Sequence, residues 1–276
     1  MKFTECACRG TVWTTKCDSR LDGVANLFSH AGLEHHINQP TILIKPNLVE
    51  ALQPPITTPV EIVEAVILYL KNKLPDKRII IGEGTGSTDY DTFHCYDLLG
   101  YIEMARGNDV ELIDLNKEEW IMRERNDCPR WPQMYLPKLL DDVFLLSVPV
   151  LKAHSLSSVT LTMKNMMGCP PPAHYQQGGH WGKSSFHANI QDAVFDLNQY
   201  RTPDFSLLDA SIGMAQAHLW GPQCDPPIGK IAVSWDPVAI DSYGCRLLGK
   251  DYTKIGHISK ANGILGCAEP LEIITL

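Results

Sequence analysis

The sequence has no Cys-x-x-Cys pair, no block of basic residues and no apolar run long enough to cross a bilayer, and each absence removes a class of function. Its nine cysteines are scattered as Cys6, Cys8, Cys17, Cys95, Cys128, Cys169, Cys224, Cys245 and Cys267. An odd number without paired spacing argues against a disulfide framework and against an iron–sulfur cluster. Cys6, Cys8 and Cys17 are close enough in sequence to ligate a metal, although three thiols near a terminus are more often free. A net charge of −8, with no alternation of aromatic and basic residues, excludes non-specific nucleic-acid binding. The longest apolar run, Val143 to Leu151, is broken by Ser147 and Pro149 and is too short for a membrane span. The first residues, Met1 to Arg9, lack the apolar stretch of a signal peptide. The expected setting is cytoplasmic, with neither a nucleic-acid nor a membrane partner. A small molecule is the expected partner.

What is present suits a globular enzyme or binding protein. A hydrophobic content of 44% over 276 residues is ample for a core. The alternation of apolar runs with helical patterns predicts an α/β fold with a mostly parallel, doubly wound sheet and helices on both faces. Residues 1–276 read as a single α/β domain that divides, if at all, into lobes 1–150 and 151–276.

Strands are expected at Gly10–Thr15, Thr41–Asn47, Arg78–Gly82, Val110–Leu115, Asp142–Val150, Phe205–Ala210 and Lys230–Trp235. A helix from about Ser19 to His36 carries Leu21, Val24, Leu27 and Phe28 on one face and ends in the solvated pair His35-His36. Thr58-Pro59-Val60-Glu61 has the form of a capping box and predicts a helix over 59–74. Gly82 to Thr88 is a glycine-rich loop before a helix that starts near Tyr90, either an anion-binding loop or a plain turn. Asn116 to Pro137 reads as a surface excursion with a short helix, and Pro170 to Phe186 as a long loop. Ser184 and Ser185 are placed to cap a helix whose apolar face holds Phe186, Ile190, Ala193, Val194 and Leu197. His187 then falls in the first turn, where the dipole keeps an imidazole neutral. Asp236-Pro237 opens a last helix on which Asp241 shares a stripe with Val238, Cys245 and Leu248, so a buried carboxylate there needs a partner.

The candidate chemistry centres on the exit of the Asp142–Val150 strand. His154, His174, His180 and His187 fall within 34 residues, together with Lys152, Lys164 and Cys169. Imidazoles in that density suit a divalent nickel, zinc or iron ion, with His154 and His187 as its ligands. Lys164, between Met163 and Met166, is placed to have its pKa lowered by apolar surroundings, as a base or nucleophile needs. His154, Lys164 and His187 are therefore the candidate catalytic residues. Lys45, Asn47, Gly84, Gly86, Ser87, Lys152, Asn165 and Asp209 follow strands or loops in the way that substrate-binding groups do. The expected activity is proton-transfer or redox chemistry on a small carboxylate- or phosphate-bearing molecule. The alternative is a non-catalytic ligand-binding or metallocentre-accessory protein.

Lys45-Pro-Asn, the Thr57-Thr-Pro helix start, Gly82-Glu-Gly, Lys152-x-His154, Thr160, Lys164-Asn165, Gly168, His187, Asp209 and Asp236-Pro-Val-Ala-Ile-Asp241 occur in order. In these the region from about 41 to 266 resembles the family domain of unknown function 362. Many of that family carry a ferredoxin-like module with clustered cysteines, and this chain lacks it. The chain is also similar to the N-terminal domain of lactate racemases, in which a histidine precedes the cofactor lysine by ten residues, as His154 precedes Lys164. That resemblance implies a nickel-pincer cofactor joined to Lys164 and an acid–base or metal-ligand role for His154.

Overall fold

The computed structural model describes residues 9–276, so Cys6 and Cys8 of the terminal thiol group lie outside the described residues. The first half contains β1 (Thr11–Lys16), α1 (Arg20–His30), β2 (Thr41–Pro46), α2 (Val60–Lys73), β3 (Arg78–Glu83), α3 (Thr92–Leu98), α4 (Tyr101–Gly107) and β4 (Glu111–Asp114). Then come β5 (Trp120–Glu124), β6 (Gln133–Pro137), β7 (Val143–Val148), β8 (Val150–His154), β9 (Ser158–Val159), α5 (Leu161–Asn165) and α6 (Pro172–Tyr175). The chain finishes with α7 (Ile190–Tyr200), β10 (Phe205–Met214), β11 (Lys230–Ser234), α8 (Pro237–Leu247), α9 (Gly256–Ala261) and β12 (Glu272–Thr275).

The main sheet runs β12-β1-β11-β10-β7-β2-β3-β4, with β8 paired to β10 and β9 paired to β8. From β10 to β4 every neighbour is parallel, and β11 is antiparallel to both β1 and β10. Strands from both ends of the chain meet in it, for Trp13 lies opposite Val233. A strand covered on both faces must be apolar throughout, and β2 shows why. Its Ile42 and Ile44 pack with Leu27 and Phe28 of α1 and Val66 and Leu70 of α2. Leu43 between them faces the opposite core, with Leu145 and with Ala193 and Leu197 of α7. Further along that second face, Leu208 and Ala232 meet Val238 and Ile240 of α8. The sheet is thus mostly parallel and doubly wound, with helices on both sides. Strand order departs in opposite directions from β2, towards β3 and β4 and towards β7 and β10. The β2–β7 junction is therefore a topological switch point, and a crevice opens beyond the carboxyl ends of such strands.

Several local expectations change in the structure. The first helix stops at His30, because Gly32 adopts a left-handed conformation (φ 66°) and a separate 3-10 turn carries His35. Leu21 is half exposed rather than part of the core. Thr58 does not cap α2: its hydroxyl donates to the Val148 carbonyl at 2.7 Å and accepts from the Asn47 amide at 2.9 Å, tying β7 to the loop after β2. Asn116–Pro137 contains an antiparallel hairpin, β5 with β6, instead of a helix. The segment Ser184–His187 is a 3-10 turn separated from α7 by Asn189 at φ 54°, so His187 precedes the helix. Among the described residues no helix is long and apolar enough to cross a membrane. Among the described residues, Cys17, Cys95, Cys128, Cys169, Cys224, Cys245 and Cys267 form no disulfide with one another.

Candidate active site

The switch-point crevice deepens into a cavity of about 280 Å³ beyond the ends of β2, β3 and β8. Beneath it lies an ion pair. Lys45, the penultimate residue of β2, is fully buried and donates to Glu83 Oε1 at 2.7 Å. Glu83 ends β3 and also accepts the Gly84 amide at 2.8 Å and the Leu48 amide at 3.1 Å. Two strand ends are thereby locked side by side. Lys45 reaches Asn165 Oδ1 at 3.2 Å as well, and Asn47 Nδ2 donates to the same oxygen at 3.2 Å.

Two glycines let the surrounding loops approach this pair. A methyl group on Gly168 would fall on Glu83 Oε1 and Lys45 Nζ, and one on Gly84 would strike the Gly168 carbonyl and the Asn116 side chain. Gly168→Ala should cost about 1–3 kcal/mol through overpacking. Gly107→Ala, where the methyl group meets open space, should leave urea unfolding nearly unchanged. Equal behaviour of the two variants would show that the close approach at Gly168 is not needed.

Helix α5 presents Lys164. Its approach is strained, with Leu161 in the left-handed region at φ 53°, which costs a non-glycine residue about 1–2 kcal/mol. Asp241 of α8 offsets that cost by accepting the Thr162 amide at 2.7 Å and the Met163 amide at 2.9 Å. Burial pushes the Asp241 carboxyl up to about 8, against the pull of those two donors. Asp241 has the partner that its burial demands.

Three amines border the cavity. Lys152 donates to the Ile56 carbonyl at 2.6 Å, and burial together with repulsion from Lys164 lowers it to about 7. Lys183 donates to the carbonyls of Gly84 at 2.9 Å and Gly168 at 2.7 Å, and burial lowers it also to about 7. Lys164 is lowered to about 8 by burial. Its amine stands in the cavity wall and has no ion-pair partner among the described residues.

Three imidazoles complete the wall: His154, His187 and His218. His154 Nδ1 faces the amides of Leu156 at 3.0 Å and Ser157 at 3.2 Å. A ring nitrogen that accepts two N–H donors carries no proton, so the proton is on Nε2 and the ring is a neutral donor. Burial, then the charges of Lys164 and His218, press its pKa far below the ordinary histidine value. His218 stacks on it with ring centres 3.8 Å apart and is lowered to about 4, again mainly by burial. Burial and Lys164 lower His187 as well. His187 is thus neutral for a reason other than a helix dipole. Asn47 Oδ1, Thr160 Oγ1 and His218 Nδ1 are buried around the same space without a hydrogen-bond partner among the described residues. Orphaned polar atoms converging on one cavity mark a place where a ligand supplies the missing bonds.

The profile of the family described as Domain of unknown function (DUF362) matches residues 42–246, from β2 to α8. The chain belongs to that family. Among solved structures it is similar to the lactate racemase apoprotein from Thermoanaerobacterium thermosaccharolyticum, with a TM-score of 0.51 and 12% identity. The match covers 84% of this chain and 56% of that one, so the chain spans just over half of that protein's length. At this identity the likeness is one of fold. No curated protein matches significantly.

Within the DUF362 region the cavity gathers Asn47, Gly84, Gly86, Lys152, His154, Lys164, Asn165 and His187 of the sequence candidates. The others lie elsewhere. Lys45 is beneath the wall, committed to Glu83. Ser87 is displaced into a backbone bridge with Trp181. Asp209 sits in mid-strand, because β10 continues to Met214, and it lines a separate cleft with Arg20 at 3.8 Å. His174 stacks on Tyr135 at 3.7 Å, while His180 is exposed. The glycine-rich loop lends its surface to the wall, but its Gly84, Thr85 and Gly86 amides are taken by Glu83, Thr92 and Val49. As for metal ligation by His154 and His187, no group of three or more His, Cys, Asp or Glu among the described residues is arranged to hold an ion. Lys183 and His218 belong to the site although neither stands out in the sequence. Only the Gly84 and Gly168 carbonyls reveal Lys183.

Proposed function

We propose that this cavity binds a small carboxylate or phosphate and moves a proton on it. The supporting observation is the Lys164 amine, lowered to about 8, opening into a cavity with Lys152, Lys183 and three neutral imidazoles. An amine in that range is divided between its base and acid forms near neutral pH, as general acid–base chemistry requires. Lys152 would hold the anion, Thr160 would donate its hydroxyl, and the N–H of His154 Nε2 would stabilise charge growing on a substrate oxygen, whereas Asn165 spends both N–H bonds on the Lys45 carbonyl and the Ser147 hydroxyl. His187, whose ring is neutral, would be the second proton carrier.

A cofactor joined to Lys164, as the racemase resemblance implies, fits an amine with no ion-pair partner. Such a group would supply the redox part of the chemistry when bound. Side chains alone do not assemble a three-donor metal site among the described residues, so a nickel, zinc or iron ion here would draw ligands from the cofactor. His187 and His218 are better placed as ligands than His154, whose Nδ1 faces two amides.

The test joins intact mass and metal content of the purified protein with deuterium uptake by a panel of carboxylates in heavy water, followed by NMR. At least one substrate should exchange, and Lys164→Ala should abolish exchange and weaken anion binding by about tenfold or more, the loss of one charge-assisted hydrogen bond. Undiminished affinity in both Lys164→Ala and His154→Ala would sink the site. Binding without any exchange would turn the assignment to a ligand-binding or metallocentre-accessory role.

A further inference from the structure

The cavity has two unlike ends. Its deep part is polar and closed: Lys152 is 1% exposed, Asn165 2%, Thr160 3% and Lys183 5%. Its better-exposed lining carries the apolar side chains of Val49, Leu156, Met167 and Trp181 beside Ser155, His187 and His218. Leu219, 9% exposed, joins the same wall. Leu156 is 57% exposed at this rim, and Trp220, next to Leu219 in the chain, is 79% exposed. An isolated surface leucine needs no explanation, but an apolar wall continuous with a buried amine cluster does. The β8–β9 turn carries Leu156 and the loop after β10 carries Leu219, so two separate segments each bring an apolar side chain to one opening.

A bare anion such as acetate or inorganic phosphate would use only the deep end and leave this wall wet. From this asymmetry we infer that the site takes an anion bearing an apolar substituent. The charged group reaches Lys152 and Lys164, and an aryl or alkyl portion lies against Leu156, Met167, Trp181 and Leu219. The inference rests on the anion-binding reading above and adds the substrate class. Burying about 60 Å² of hydrocarbon is worth about a tenfold gain in affinity, which sets the scale of the effect.

Calorimetric titration of the full chain with acetate, phenylacetate, inorganic phosphate and phenyl phosphate provides the test. Within the preferred anion type, the phenyl compound should bind at least about tenfold more tightly than its bare counterpart. In the double variant Leu156→Ser, Leu219→Ser that margin should shrink to about threefold or less, as the apolar area is lost. Circular dichroism confirms folding of the variant, and Leu156→Ser alone, at an exposed position, should narrow the margin in the same direction. Equal affinities for bare and phenyl compounds, or a margin untouched in both variants, overturns the inference while the anion site stands. If none of the four compounds binds, the anion-binding reading itself fails and the inference falls with it.

Discussion

Glu83→Ala should lower the stability of the protein by about 3–5 kcal/mol, the cost of removing one member of a buried ion pair. Lys45 is fully buried and Glu83 is 2% exposed, so the amine left behind keeps only the Pro46 carbonyl and Asn165 Oδ1 as protein partners among the described residues. The Leu48 and Gly84 amides lose their acceptor in the same step. The loss should appear as a lower urea midpoint with an unchanged slope. Replacing both partners, as Lys45→Met with Glu83→Gln, should cost less than the single variant, because no unpaired charge then stays in the interior. A loss below about 1 kcal/mol for Glu83→Ala would mean that the neighbouring amide and carbonyl groups absorb the Lys45 charge by themselves.

The parallel core is legible in the sequence because a strand covered on both faces must be apolar at successive positions, as in Ile42-Leu43-Ile44 and Phe144-Leu145-Leu146. The Asp236-Pro237 helix start is legible for a local reason too, and its carboxylate accepts the Val238 and Ala239 amides. Thr58 shows the limit of local signals. Its capping pattern is satisfied on paper, but the hydroxyl finds a better-placed carbonyl on Val148, ninety residues away. Asp209 ends an apolar run and so looks like a strand exit, yet β8 pairs with β10 and carries the strand on, with Met214 opposite Lys152. The gathering of Lys152, His154, Lys164 and Asn165 follows from their closeness to one strand end. Lys183 and His218 come from loops whose placement depends on distant contacts, the Gly84 carbonyl for one and the His154 ring for the other. No short pattern encodes such contacts.

Anion affinity should be strongly pH-dependent, falling by at least about a hundredfold between pH 6 and pH 9, since each amine that must be charged to hold the ligand is lost at one power of ten per pH unit above its pKa. Lys152 and Lys183 lie near 7 and Lys164 near 8 in the ligand-free protein, all below the ordinary lysine value. A bound carboxylate favours their charged forms and raises these values, so binding takes up protons. Below about pH 7 the amines are already protonated and the affinity should level off; above it the affinity should decline, more steeply past pH 8 when Lys164 joins. Affinity is a cleaner probe than stability here, because the thiols of Cys95 and Cys128, raised to about 11 by burial, titrate alike with and without ligand. A carboxylate remains ionised throughout this range, so the change reports the protein alone. Titrations in buffers of different ionisation enthalpy would count the protons directly. More than one proton should be taken up at pH 8, and Lys164→Met should flatten the upper part of the profile. A pH-independent affinity with no proton uptake would show that the charge on these three amines does not hold the ligand.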